Sequence, residues 1–135
     1  MSFNRIYTSP LRMCIKLALK VAKADTVIIH DPRLKELNFG KWEGKALSEL
    51  KDDTRLFRET YKVGKQCPRG ESYQDLIDRT KSFLSDLKCE NGTIGVVACG
   101  GVIRAFMSLI ENRPPMEMFG ANVEFGQIFH YELKN

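Results

Sequence analysis

Three short β-prone runs, each closed by a turn and two of them opening a helix, constrain this chain more than any other feature. Phe3 to Thr8 alternates, and Ser9-Pro10 follows it, with Ser suited to an N-cap and Pro to the first helical position. Leu11, Cys14, Ile15, Ala18 and Ala22 then recur at helical spacing to about Lys23. Thr26 to His30 is the second run, closed by Asp31-Pro32. Strand, helix and strand in this order predict a right-handed βαβ unit with parallel strands. The third run, Thr93 to Ala98, reads as a buried strand. Cys99-Gly100-Gly101 follows as a tight turn, and Val102 to Ile110 as a helix stopped by Pro114-Pro115.

Between these units, residues 33–45, with two glycines and Trp42, read as an ordered loop, Ala46 to Tyr61 as a moderate helix, and Val63 to Gly70 as a loop. Ser72-Tyr73-Gln74-Asp75 is a capping box. Behind it Tyr73, Leu76, Ile77, Thr80, Phe83, Leu84 and Leu87 form a helical stripe that belongs to the core. Near the end, Phe125, Gln127, Phe129, Tyr131 and Leu133 alternate, which predicts a last strand over Phe125 to Leu133. The whole pattern predicts one three-layer α/β domain over residues 1–135.

Composition excludes several classes of function. The 135 residues are 43% apolar and 28% charged, the balance of a soluble globular domain. The net charge of +4 comes from basic residues spread along the chain, so a solvated mixed surface is expected and no nucleic-acid partner. No apolar run approaches the roughly 20 residues of a membrane span, and Met1 to Arg5 lead into no signal-peptide core, so no membrane partner is expected. Cys14, Cys67, Cys89 and Cys99 show neither C-x-x-C nor zinc spacing with His30 or His130. Free thiols in a cytoplasmic protein without metal or cofactor are the expectation, with Cys14 a small core residue.

In an open α/β sheet, ligands bind beyond the carboxyl ends of the strands. Thr8-Ser9-Pro10, Glu36 and Cys99-Gly100-Gly101 converge there. Two of these segments open helices, whose free N–H groups favour an anion, and Glu36 is a candidate acid. Ordinary βα turn chemistry also selects Ser-Pro and Gly-Gly, so spacing alone leaves both readings open.

Four blocks in order add a resemblance. They are Arg5-Ile-Tyr-Thr-Ser-Pro-Leu11, Asp31-Pro-Arg-Leu-Lys-Glu-Leu-Asn-Phe-Gly-Lys-Trp-Glu-Gly44, Pro68-Arg-Gly-Glu-Ser72 and Val97-Ala-Cys-Gly-Gly-Val-Ile-Arg104. Together they resemble the histidine phosphatase superfamily, with its phosphoglycerate-mutase-like fold and mostly parallel sheet. Cys14 after Leu11, and Val123-Glu-Phe-Gly126, are similar to the alpha-ribazole phosphatase branch, which serves cobalamin biosynthesis. The resemblance implies attack on a phosphomonoester by a His in an Arg-His-Gly motif, arginines on the phosphate oxygens, a second His in Ser/Thr-His-Gly, and a Glu as general acid.

Carried over by position, the acid falls on Glu36 and the second His on Cys99, while the second phosphate Arg falls on Met13. Arg12 is adjacent but turned about 100° away on a helix. Ser9, Gly100 and Gly101 are left as phosphate contacts, with Glu71 near the pocket; Arg104 also matches a family position. The sequence begins where the family's second strand begins, so the family's first, central strand with its Arg-His-Gly is expected to be missing. His30 and His130 match no catalytic position and read as structural or surface residues. Cys99 and Arg104 stand one position too close for a cysteine-phosphatase loop. The expectation is a degenerate phosphomonoesterase of small phosphorylated molecules or inorganic phosphate, inactive or weak alone. The alternative is a non-catalytic anion-binding or protein-interaction domain. A homodimer, or a partner chain that supplies a strand, would meet the gap in the sheet.

Overall fold

In a computed structural model of the protein, which describes residues 2–38, 40, 70–115 and 122–134, the three β-prone runs form one parallel sheet. β1 (Arg5–Thr8) is central, with β2 (Val27–His30) on one side and β3 (Ile94–Val97) on the other. Tyr7 stands in register with Ile29 and with Val96. Both connections therefore return the chain to the same end of the sheet, which puts all three carboxyl ends together.

α1 (Arg12–Val21) covers one face of the sheet; α2 (Tyr73–Leu87) and α3 (Gly100–Ile110) cover the other. The result is the expected three-layer arrangement. Alternation along β1 explains it. Ile6 and Thr8 are buried on the side of Cys14 and Ala18, whereas Tyr7 meets the α2–α3 layer. The Tyr7 ring stands edge-on to Phe83 at 5.2 Å, and Phe83 in turn meets Phe106 at 5.8 Å. Leu34, Leu76, Phe83 and Val102 are fully enclosed in this core.

The capping box of α2 is present. Ser72 Oγ accepts from the Asp75 N–H at 3.0 Å, and Asp75 Oδ2 accepts from the Ser72 N–H at 2.9 Å. α1, by contrast, starts later than Ser9-Pro10 predicts, with Leu11 as its N-cap. The Ser9 N–H is bonded to Val97 O at 2.8 Å, which keeps residue 9 in the ladder and out of the helix. α3 starts earlier than predicted. Gly100 and Gly101 form its first turn, and extended Cys99 is its N-cap. It ends before the prolines, where Asn112 turns left-handed (φ 53°) and the Arg113 N–H closes on Ser108 O at 3.0 Å.

The predicted last strand is a correction. Residues 122–134 contain no strand. A turn closed by the Gln127 N–H on Glu124 O at 3.1 Å, with Gly126 at φ +74°, takes up the first members of the alternation. Phe125 is 91% exposed, and Leu133 alone of the alternating set packs on the core. The predicted helix Ala46 to Tyr61, residues 63–69 of the predicted loop, Trp42 and Cys67 lie outside the described residues.

Candidate active site

The site is built at the carboxyl end of the sheet. The Ser9–Val97 hydrogen bond sets the turns after β1 and β3 side by side. Glu36 reaches them from the segment after β2. Its Oε2 accepts from the Gly101 N–H in the first turn of α3 at 3.1 Å, and its Oε1 accepts from the Leu37 N–H at 2.9 Å. The carboxylate thus takes the place that an external anion would take at this helix N-terminus. Gly101 is what admits it, because a Cβ there would overlap the carboxylate oxygens.

The Glu36 segment is fastened from both sides. Asp31 Oδ1 accepts from the Arg33 N–H at 2.9 Å and starts a 3-10 turn over Pro32–Leu34. The Arg33 guanidinium pairs with Asp31 at 2.9 Å and with Asp86 of α2 at 2.7 Å, and lies over the Phe83 ring. Its hydrogen bonds hold the Asp31 carboxyl below the usual range against the opposing effect of burial. Arg79 of α2 donates to Arg33 O at 2.7 Å and to Glu36 O at 3.1 Å, and pairs with Glu71 at 3.0 Å. Glu71 Oε1 also accepts from the Asn38 N–H at 2.8 Å, and the Glu71 N–H donates to Asn38 O at 2.7 Å. Burial pushes the Glu71 carboxyl up, but Arg79 and the Asn38 N–H outweigh it and the net direction is down.

Beside the Glu36 carboxylate stand Cys99, Tyr73 and Arg104. Cys99 is half-buried, and its thiol is pushed up to about 12, chiefly by burial, then by the Cys14 thiol and the Glu36 carboxylate. That environment opposes a thiolate nucleophile. Tyr73 is buried, and its hydroxyl is raised by burial, with Arg104 lowering and Glu36 raising it. Arg104 folds back over the first turn of its own helix, where a Cβ on Gly100 would stand 3.2 Å from Nη1.

Of the residues singled out in the sequence, Glu36, Cys99, Gly100 and Gly101 come together, and Glu71 buttresses Glu36 from behind through Asn38 and Arg79. Ser9 is fully buried, and its hydroxyl accepts from the Leu11 N–H at 3.2 Å. Met13, Arg12, His30 and His130 are exposed. Sequence reasoning left out Arg79 and placed Tyr73 in the core stripe alone. Position seven of a helix gives no sign of a clamp on a segment distant in sequence, and a tyrosine within an apolar helical stripe was the available signal for Tyr73. Among the described residues, no group of three or more His, Cys, Asp or Glu side chains is placed to hold a metal ion, and no helix is long and apolar enough to cross a membrane. A concavity lined by Asn4, Arg5, Glu90, Asn91 and Ile94 opens at the opposite end of the sheet.

Comparison with known proteins bears on this site. The family model "Histidine phosphatase superfamily (branch 1)" matches residues 1–135. A protein of Hydrogenobacter thermophilus named for phosphoserine phosphatase activity is 34% identical over 110 residues, covering 78% of this chain and 54% of its own length. The chain thus spans about half the length of that relative. Among solved structures, the alpha-ribazole phosphatase from Shigella flexneri is similar with a TM-score of 0.69 and 20% identity, over 88% of this chain and 62% of that one. The mycobacterial glucosyl-3-phosphoglycerate phosphatase Rv2419c, solved with inorganic phosphate, is similar with a TM-score of 0.67 and 24% identity, over 86% of this chain and 62% of that one. At these identities the likeness is one of fold.

Proposed function

The chain belongs to the histidine phosphatase superfamily, and we propose from that premise that these residues form the acid-bearing side of a phosphomonoester pocket with little or no turnover of its own. One observation carries the reading: the Glu36 carboxylate rests on the Gly101 N–H, next to Cys99 at the position where the resemblance expects a histidine. Glu36 is the proton donor to a leaving oxygen. The α3 N-terminus, with Arg104 folded over it, is the seat for phosphate oxygens once Glu36 has swung aside. Ser9 supports this seat through its backbone, since its hydroxyl is engaged by Leu11. The two histidines of the sequence, His30 and His130, are exposed. Cys99 is a poor substitute because its thiol holds its proton to about pH 12. Losing one preorganised contact costs about a hundredfold in rate, so a cysteine at position 99 in place of the expected histidine supports low activity. The substrate class is a small phosphomonoester, with alpha-ribazole phosphate suggested by Val123-Glu-Phe-Gly126 and by the fold shared with the Shigella enzyme. Unpaired Cys14, Cys89 and Cys99 support a reducing, cytoplasmic setting.

The test is turnover of an aryl phosphate by the purified chain and by Glu36→Gln. The expectation is a rate about a hundredfold or more below that of a family member with a histidine at the position of Cys99. A comparable rate that is lost in Glu36→Gln overturns the reading. A phosphate titration should shift the amide resonances of residues 100–102, and no movement there removes the proposed seat.

A second reading, a non-catalytic interaction domain, is favoured by a specific feature. Among the described residues, no strand pairs with the outer edge of β3. In this reading a second copy or another partner pairs there as an interface only, whereas a chain that brings its own strand and histidine belongs to the first reading. Repeating the assay with candidate partner chains separates the two readings, because only the first gains turnover from the added strand.

A further inference from the structure

Five of the eight large apolar side chains that stand exposed among the described residues lie between Leu11 and Val21, so they form a patch on α1 and are not scattered. Cys14 and Ala18 turn inward to the sheet. Beside them Met13, Leu17 and Val21 recur every four residues and are 55%, 43% and 41% exposed. Next around the helix come Arg12, Lys16 and Lys20, also four apart and exposed. α1 thus presents two parallel rows, one apolar and one cationic. Residues 1–24 contain no Asp or Glu, and among the described residues these three cations make no ion pair. Among the same residues, α2 and α3 share the opposite face of the sheet, while α1 has its own face to itself.

We infer that this face of α1 is the docking surface for an acidic amphipathic helix of another protein. The partner lies along α1, with its apolar residues over Met13, Leu17 and Val21 and its carboxylates over Arg12, Lys16 and Lys20. Rows at four-residue spacing pack ridge into groove against rows of the same spacing on a second helix. Charge selects the occupant. A second copy presenting its own α1 would set three cations against three, which like-charge repulsion opposes. A nucleic acid would draw the cations to its phosphates and leave the apolar row uncovered. A bilayer surface suits a helix whose apolar stripe is outermost, with cations on either side of it. Here the inner side of the apolar row is the buried line of Cys14 and Ala18. An acidic helix covers both rows at once: the apolar row contributes affinity, and the cations set orientation and register. None of the residues around the Glu36 seat takes part.

The probe is a capped, fluorophore-labelled synthetic helix of about 16 residues built on the repeat Glu-Leu-Ala-Ala, which places an acidic row beside an apolar one and folds well for its length. Fluorescence polarisation reads its binding to the full chain at low and at high salt. The expected result is saturable binding that weakens with salt. Replacing every Glu of the peptide by Gln should weaken it about tenfold. Lys16→Glu with Lys20→Glu in the protein should weaken the acidic peptide by a similar factor and gain affinity for a peptide with Lys in place of Glu. Leu17→Asn should weaken binding with the salt dependence unchanged. Three results overturn the proposal. They are no saturable binding to the wild-type chain, binding that ignores the Lys16 and Lys20 reversals, and a Leu17→Asn chain that binds as wild type, which leaves only undirected charge attraction. Retention of the chain on phosphatidylserine vesicles, lost in the double reversal, would assign the face to a bilayer and overturn it as well. The substituted side chains are exposed, and circular dichroism confirms that each variant measured is folded.

Discussion

Glu36 is held by donors it did not bring: one N–H from its neighbour Leu37 and one from Gly101, far along the chain. Gly101→Ala tests that seat. The new methyl collides with the far end of a flexible side chain, so the fold should lose at most about 1 kcal/mol, partly returned by the better helix propensity of Ala. Glu36 should leave, and phosphate should bind the amides of residues 100–102 more tightly than in wild type, by titration. Weaker binding in Gly101→Ala would mean that Glu36 helps to build the seat and does not fill it. Arg79 carries a second prediction. Arg79→Ala removes the donor to Arg33 O and Glu36 O and leaves Glu71 with the Asn38 N–H, and it should cost about 2 kcal/mol at pH 7 in urea unfolding. The Glu71 carboxyl lies below its usual value near 4.5 in the fold, so the unfolded chain takes up the proton first. The stabilisation is full above that value and is lost as pH falls through and below it. The penalty of Arg79→Ala should therefore shrink as pH falls below 4.5. Glu36 was legible because an acid after a strand end is a local signal. The clamp from Arg79 was not, because on its own helix Arg79 reads as one more solvated charge.

Among the elements, those specified by adjacent residues were the ones the sequence spelled out. Ser72 and Asp75 satisfy each other within one turn, so the start of α2 needs no tertiary partner. Ser72→Ala should lower stability by about 1 kcal/mol, read as a lower melting temperature, with the site amides unmoved. An effect well outside that range would show that the cap also supports the adjoining Glu71–Asn38 contact. The elements that sequence reasoning misplaced depend on distant groups. Ser9-Pro10 has a sound helix-start pattern, yet Val97 O holds the Ser9 N–H and delays α1. Phe125 to Leu133 has the period of a strand, but a strand also needs a neighbour about 4.8 Å away. The Glu124–Gln127 turn leaves this segment without one among the described residues.

The same consideration governs the larger scale, where the sheet, among the described residues, runs β2-β1-β3 with β3 at one border. Val97 O is bonded toward β1, and a parallel ladder uses alternate residues on each side, so the backbone groups of Ile94 and Val96 face outward. Their side chains pack on the core, so what stays open is a short row of N–H and C=O groups beside an apolar layer. Such an edge recruits another strand. The expected outcome is concentration-dependent dimerisation in the micromolar range by sedimentation velocity. Two proline variants locate it. Val96→Pro removes a donor that only the open edge uses, so the chain should remain folded and lose the dimer. Val97→Pro removes a donor on the β1 side and should unfold the sheet, giving a loss of far-ultraviolet signal that Val96→Pro does not share. A dimer that persists in folded Val96→Pro would move the interface elsewhere, to surfaces such as the exposed Met13, Leu17 and Leu19 of α1. A chain that stays monomeric in both wild type and Val96→Pro would show that the β3 edge recruits no second copy, and would leave a strand from a different chain as its occupant.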